Sequence, residues 1–513
     1  MTVDAATPTN APATTNLAHI IDGHAADRIA IISRGRETTY GQLRDQVAHV
    51  RGGLRALGLG KGDRIALLCG NGRYFVDLYL AALGLGAVTV PLNPASPAPE
   101  IERELRTVEA KVVVVEPAAA QAWSQINRSA LASVQHVVGT EPGTIAGADS
   151  TFDDLLVAEQ LPAIDLDPDD LAALIFTSGT AGSPRAAMLS HGNLLSNLDQ
   201  SSSTDGIRDD DIVYGVLPLF HIFGLNVVIG LGLSRGATLI LVQRFDPFTA
   251  LETIRDRKVT IIPGAPPLWL AFSHMDGNAD APADSFATVR LALTGAAKMP
   301  EEAMRRLKER FGLSLLEGYG LTEASPVVTS SAGMEVKIGS VGKVLDGIQV
   351  RLVDENGDDA LEGDAGEVWV KGPNVFKGYL NEPEATARVL SADGWLRTGD
   401  IAVVDDDGYL YLVDRAKDLI IVSGFNVYPA EVEGVLLDHA DVAECGVVGV
   451  PHPHTGEAVK AFVVLKPGAR ADEDSLVSWC LDNLARYKCP SKVMFVDELP
   501  RNVSGKLLRR SLM

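Results

Sequence analysis

Cysteine is scarce in this sequence. There are four in 513 residues (Cys69, Cys445, Cys480 and Cys489), and none stands at metal-ligand spacing. No cysteine zinc site is offered, and the thiols read as the reduced residues of a cytoplasmic protein. Positive charge is also scarce: 45 Lys and Arg against 67 Asp and Glu leave a net charge of −22. That balance argues against nucleic acid or an anionic membrane surface as the main partner. Long apolar runs are missing too. The longest are interrupted by Asp77 and by Ser234-Arg235, so no integral membrane association is expected. No signal peptide is read at the start, no internal repeat is visible, and no Ser/His/Asp or Cys/His set suggests a protein nucleophile. What remains is an ordinary globular composition, 46% hydrophobic and 22% charged, with length for about two to four domains.

What is present centres on residues 177–185, Thr-Ser-Gly-Thr-Ala-Gly-Ser-Pro-Arg. The wholly apolar run Leu171–Phe176 leads into them and reads as a buried strand. Glycines let backbone approach a ligand, successive N–H groups can form an anion nest, and Arg185 adds a fixed cation. The usual P-loop ending, Gly-Lys-Ser/Thr, is absent. Taken alone, the stretch suits either an anion nest or a plain Gly/Ser surface loop.

Around it the chain alternates. Residues 1–15 are rich in Ala, Thr, Pro and Asn, a composition of disorder. A helix is predicted from Thr39-Tyr40 through Leu57, a strand over Arg64–Cys69, a helix over Arg73–Gly84 and a strand over Ala87–Pro91; a second such unit spans Ile101–Val115. The alternation predicts an α/β fold with mostly parallel, doubly wound sheets. Ser190-His191-Gly192-Asn193 reads as a helix N-cap. Phe220, His221, Phe223 and Trp269 suit pocket walls or plain core equally well. The strand Leu291–Thr294 ends in Gly295, Ala296 and Ala297, small enough for a flat ring to lie against, or simply a tight turn before Pro300.

After a short apolar strand, Leu313–Leu316, comes Glu317-Gly318-Tyr319-Gly320-Leu321-Thr322-Glu323. An aromatic ring can cover a purine, and a carboxylate can hold Mg²⁺. A Thr-Glu pair is also a common helix cap. Residues 339–413 alternate as short strands and suggest a small β-rich subdomain. The charged run Asp414–Asp418 reads as a domain boundary, and the strands between Val442 and Val464 suggest a compact α/β cap. Residues 486–513 carry seven cations, Lys506 among them, against Asp497 and Glu498.

These motifs, in this order, resemble the adenylate-forming superfamily of acyl-CoA synthetases, peptide-synthetase adenylation domains and firefly luciferase. The phosphate loop departs from the family pattern at Ala181 (Thr), Arg185 (Lys) and Ala186 (Gly). The resemblance covers residues 17–511. It implies a large AMP-binding N-terminal domain over 16–414 and a small mobile C-terminal cap over 415–513. It also implies site residues. Thr177, Ser178, Gly179, Thr180 and Arg185 would cradle ATP phosphates, with Thr180 and Glu323 holding Mg²⁺. Gly295, Ala296 and Ala297 would receive adenine, and Tyr319 beside Gly320 would stack on it. Thr322 would touch the α-phosphate, Asp400 would accept the ribose hydroxyls and Arg415 would contact the nucleotide. His221, Phe223 and Trp269 would line the acyl pocket. Ser423 and Gly424 would line the CoA tunnel, Lys417 would be the hinge, and Lys506, matched by Pro500–Lys506, would be the catalytic cation.

The implied reaction is ATP-dependent activation of a carboxylic acid, a fatty acid on this reading, to acyl-AMP and then transfer to CoA. The rivals are an acyl-AMP ligase loading a separate carrier protein and a non-catalytic nucleotide-binding relative. A homodimer is a further partner that the resemblance allows.

Overall fold

Buried strands form where β-branched residues run together. Val112, Val113, Val114 and Val115 are all fully buried, each contributing roughly 1.5–3 kcal/mol on leaving water. The computed structural model describes residues 2–4, 15–177, 184–202, 206–275, 281–354, 356–415, 418, 420–422, 425–452, 456–484, 486–501, 505 and 507–512. The chain divides into two units: Asp4–Gln349 with Val370–Leu396, and Met1–Val3 with Val350–Trp369 and Arg397–Met513.

The larger unit holds two sheets. The seven-stranded sheet runs in the spatial order 185–190, 171–177, 88–91, 64–68, 112–115, 136–139, 150–151. All its pairings are parallel except the first, in which Arg185–Ser190 turns back antiparallel on Leu171–Thr177. The nine-stranded sheet runs 343–344, 327–330, 315–320, 291–294, 261–264, 212–215, 238–241, 29–33, 36–39. It is parallel through its centre and antiparallel at both ends. Helices cover these sheets as the alternation predicts. Tyr40–Ala56 starts with a reciprocal Thr39–Gln42 capping box, and Arg73–Gly84 lies where the sequence placed it.

The smaller unit contains a five-stranded sheet in the order 2–4, 349–353, 366–371, 396–404, 410–415. A second sheet runs 425–427, 420–422, 456–465, 442–452, with Lys492–Phe495 parallel to the third of these. Its core gathers Val432, Leu436, Val447, Val463 and Leu476. One expectation needs correcting. Composition pointed to disorder throughout 1–15, yet Thr2–Asp4 form a strand. Thr2 and Val3 are β-branched and supply backbone partners to the otherwise open edge beside Gln349–Val353. Among the described residues, no helix is long and apolar enough to cross a membrane.

Asp77, which breaks an apolar run in the sequence, sits on the buried face of the helix Arg73–Gly84 and is 1% exposed. Neither carboxyl oxygen has a hydrogen-bond partner among the described residues. Burial pushes its pKa up to about 7, against the pull of Arg73 and Arg36. Between about pH 4 and 7 the folded chain therefore keeps a proton that the unfolded chain has lost. This contribution to stability is full below the unfolded value and fades as pH rises through 7. Between pH 5 and 8 the wild type should lose on the order of 2–3 kcal/mol relative to Asp77→Asn. Denaturant midpoints across that range measure it, and parallel curves for the two proteins would show that Asp77 is already ionised when folded.

Candidate functional site

The strand Leu171–Thr177 and the returning strand Arg185–Ser190 close the base of the loop, with Arg185 opposite Thr177. The Thr177 hydroxyl faces the Arg185 carbonyl at 3.5 Å. Ser178, Gly179 and Thr180 lie outside the described residues. Beyond the second strand, Ser190 and Asn193 cap the helix His191–Ser202 reciprocally. Asn193 N–H donates to Ser190 Oγ at 3.1 Å, and Ser190 N–H to Asn193 Oδ1 at 3.0 Å.

Residues 373–382 pack along the outer edge of Arg185–Ser190. Lys377 N–H donates to the Met188 carbonyl, Met188 N–H to Gly378, and Leu380 N–H to Ala186, each at 2.9 Å. The Asn193 amide donates to the carbonyls of Pro373 and Val375, at 2.8 and 2.9 Å. The other side of the segment grips the Thr322–Ser325 turn. Phe376 N–H donates to the Glu323 carbonyl at 2.9 Å, Asn374 Nδ2 to Ala324 at 2.8 Å, and Ser325 Oγ to Asn374 at 2.8 Å. The result is a brace that joins the loop's return strand to the Thr-Glu motif.

Side chains complete it. Tyr379 Oη donates to Glu323 Oε1 at 2.7 Å. Arg185 Nε donates to Glu382 Oε2 at 2.7 Å, and its guanidinium lies 5.6 Å from the centre of the Tyr379 ring. Burial, then the Glu323 carboxylate beside it, raises the Tyr379 phenol far above its usual range, so it stays protonated as a donor. Glu323 itself is half-buried. Among the described residues no three or more His, Cys, Asp or Glu cluster as a metal cage. A magnesium site built from one carboxylate plus substrate phosphates and water fits this donor set.

The strand after Leu313 runs further than the apolar pattern indicated. It spans Leu315–Gly320, because Gly318, Tyr319 and Gly320 pair with Ser330, Thr329 and Val327. Gly320 is required there: a Cβ would collide with the Pro326 carbonyl. Tyr319 is 7% exposed. Next to it, parallel pairing brings Leu291–Thr294 and its small-residue end alongside. Gly295 is buried, and an added Cβ would touch the Gly318 carbonyl and the Phe223 ring at 3.4–3.6 Å. Ala296 is exposed with φ of 71°, a left-handed conformation costly for a residue with a side chain; Ala297 is half-buried.

Beside this loop, Asn71 orders the approach to His221. Its amide donates to the carbonyls of Gly215 and Leu217, and its oxygen accepts Leu219 N–H, at 3.1, 2.8 and 3.0 Å. His221 Nδ1 accepts Phe223 N–H at 3.2 Å, and Phe223 opens the π-helix Phe223–Leu231. Trp269 is fully buried in the core with Phe272 and donates Nε1–H to Leu293 at 3.1 Å.

In the smaller unit Asp400 is 6% exposed, at a position paired with Arg415 across two antiparallel strands. The side chain of Arg415 is not among those described. Lys417, Ser423, Gly424 and Lys506 lie outside the described residues. Sequence reasoning passed over Tyr379, Glu382 and Asn71. Their partners lie too far along the chain for spacing to reveal them. It also gave no role to Glu317, 7% exposed, whose pKa is pushed up to about 7, chiefly by burial.

The chain as a whole is similar to known proteins. The family profile described as AMP-binding enzyme matches residues 18–380, and that of the AMP-binding enzyme C-terminal domain matches residues 431–506. A feruloyl-CoA synthase of Amycolatopsis sp is 38% identical over 482 residues, 94% of each chain. A long-chain-fatty-acid–CoA ligase of Bacillus subtilis is 34% identical over 95% of this chain and 91% of its own. The crystal structure of ATP-bound MatB from Rhodopseudomonas palustris superposes with a TM-score of 0.90 at 33% identity, covering 97% of this chain and 98% of that one. By profile, identity and fold together, this chain belongs to the AMP-binding enzyme family.

Proposed function

We propose that this chain is an AMP-forming acid–thiol ligase that activates an aromatic carboxylic acid with ATP and passes the acyl group to CoA. A carboxylate is a poor acyl donor because its leaving group would be oxide. In the first step a carboxylate oxygen attacks the α-phosphorus of ATP, the bond to the α–β bridging oxygen breaks, and pyrophosphate leaves. In the second, the CoA sulfur attacks the acyl carbon, the thiol proton is lost, and AMP leaves with the former carboxylate oxygen. No protein nucleophile is needed; positioning and charge stabilisation carry both steps.

The supporting observation is the meeting, at Tyr379, of the loop's return strand and the Thr-Glu motif. These are the two segments that would handle the triphosphate. Glu323 would hold the magnesium ion usual in this family, which supplies charge neutralisation as electrons shift onto pyrophosphate. Tyr319 and the Gly295–Ala297 turn, on adjacent strands, would hold the adenine. Thr322 would meet the α-phosphate. From the smaller unit, Asp400 and Arg415 would contact the nucleotide, and Lys506 would offset charge in the first step only. Ser423 and Gly424 would serve CoA after a turn about Lys417.

The acid is proposed as aromatic rather than fatty, the class that sequence alone favoured. The Phe223 ring stands 3.5–3.6 Å from where a side chain at Gly295 would begin, an aromatic surface beside the small-residue turn against which a flat acid would stack. The feruloyl-CoA synthase is also the more similar of the two relatives.

A panel of ferulate, 4-coumarate, octanoate and palmitate, assayed for pyrophosphate release with and without CoA, tests both parts. The hydroxycinnamates should exceed the alkanoates by at least about tenfold in kcat/KM, the size of effect one pocket contact gives. The opposite order would overturn the acid assignment alone. Absence of acid-dependent pyrophosphate release with every acid would overturn the ligase itself. For the tail, Lys506→Ala should slow adenylation by roughly 10²–10³-fold while thioester formation from supplied acyl-AMP stays within a few-fold of wild type. Equal loss in both half-reactions would remove the case for a cap that serves them in turn.

A further inference from the structure

We propose that Tyr379 is a positioning residue for Glu323, and that Arg185 completes this brace through Glu382 instead of serving as a phosphate ligand. The proposal rests on the reading of Glu323 as the magnesium-holding carboxylate.

Tyr379 is 8% exposed and pinned on every side. Its backbone faces Ala187 in an isolated bridge, and its N–H donates to Thr386 Oγ1 at 2.9 Å. Its ring packs edge-on against Phe376, centroids 5.0 Å apart. The phenol therefore reaches Glu323 from a fixed point. The Glu323 backbone is fixed by the same segment, through Phe376 N–H. A half-exposed glutamate would otherwise sample several rotamers, each carrying its carboxylate elsewhere. One phenolic donor on Oε1 selects one rotamer and leaves Oε2 and a lone pair of Oε1 for a cation. Preorganising a ligand in this way tightens binding without adding a contact.

Arg185 lies at the other end. Its Nε is committed to Glu382 and its guanidinium to the Tyr379 ring, with its side chain 17% exposed. The family's lysine at this position carries one compact ammonium, which could pair with Glu382 or sit over the ring, whereas the extended planar guanidinium of Arg185 reaches both at once. Arg185 thus accounts for its own departure from the family pattern. It holds Tyr379 from one side while Glu323 is held from the other.

The test uses the full chain and reads acid-dependent pyrophosphate release against Mg²⁺ concentration at saturating ATP and acid. Tyr379→Phe removes one oxygen and keeps the ring. Its Mg²⁺ midpoint should rise about tenfold, with the KM for the acid within twofold and the thermal midpoint unchanged. Glu323→Gln should raise the Mg²⁺ midpoint at least as far. A shifted Glu323→Gln beside an unshifted Tyr379→Phe would overturn the positioning role and leave the metal assignment standing. No shift in Glu323→Gln would remove the metal assignment and this proposal with it. Glu382→Gln separates the two roles of Arg185. As part of the brace, Arg185 released from Glu382 should loosen Tyr379 and raise the Mg²⁺ midpoint about threefold, without lowering the KM for ATP. If Arg185 is instead a phosphate ligand, its release should lower the KM for ATP and leave the Mg²⁺ midpoint unmoved, which would overturn that half.

Discussion

The phenol–carboxylate hydrogen bond from Tyr379 to Glu323 completes the bonding by which residues 373–382 join two segments that come from different sheets. One part is the hairpin base at the edge of the seven-stranded sheet. The other is the turn that follows the seventh strand of the nine-stranded sheet in chain order, Leu315–Gly320. Each sheet could be well packed and still leave these two parts free to drift. Residues 373–382 prevent that with backbone bonds to both, and the Tyr379 side chain carries the constraint to the Glu323 carboxylate. Preorganised charge is what phosphoryl chemistry asks of a protein. Here it comes from a short segment with no regular secondary structure of its own.

Much of the larger unit was legible in the sequence because its signals are local. The helix start at Thr39-Tyr40, the strand beginning at Arg64 and the uninterrupted run Leu171–Phe176 each report on their own neighbourhood, and each lies where the pattern placed it. The phosphate loop and the Tyr-Gly-Leu-Thr-Glu motif were legible as residue types. That Arg185 turns to Glu382 was not, because 197 residues separate them. A loop cation's counter-ion at that separation is not visible in the sequence. The same limit hid Asn71, whose three partners lie in a strand and turn 144–148 positions away.

Composition misled in one place for a comparable reason. Thr2–Asp4 look like part of a polar tail, and only the unpaired edge of a distant strand gives them a partner. The acid was the weakest part of the reading. Phe223 is an aromatic in an apolar stretch by sequence, and its place beside Gly295, where an added Cβ would meet its ring, exists only in the folded chain. Trp269, equally eligible as a wall, stands behind that strand and ties to its backbone.

Asn193 serves two masters. Its oxygen caps a helix while its amide nitrogen secures the carbonyls of Pro373 and Val375. An aspartate or serine would satisfy the helix and abandon the brace; a lysine would do the reverse. Evolutionary drift at position 193 is therefore penalised from two directions at once, and the tolerated alphabet there should be narrower than helix capping by itself would allow.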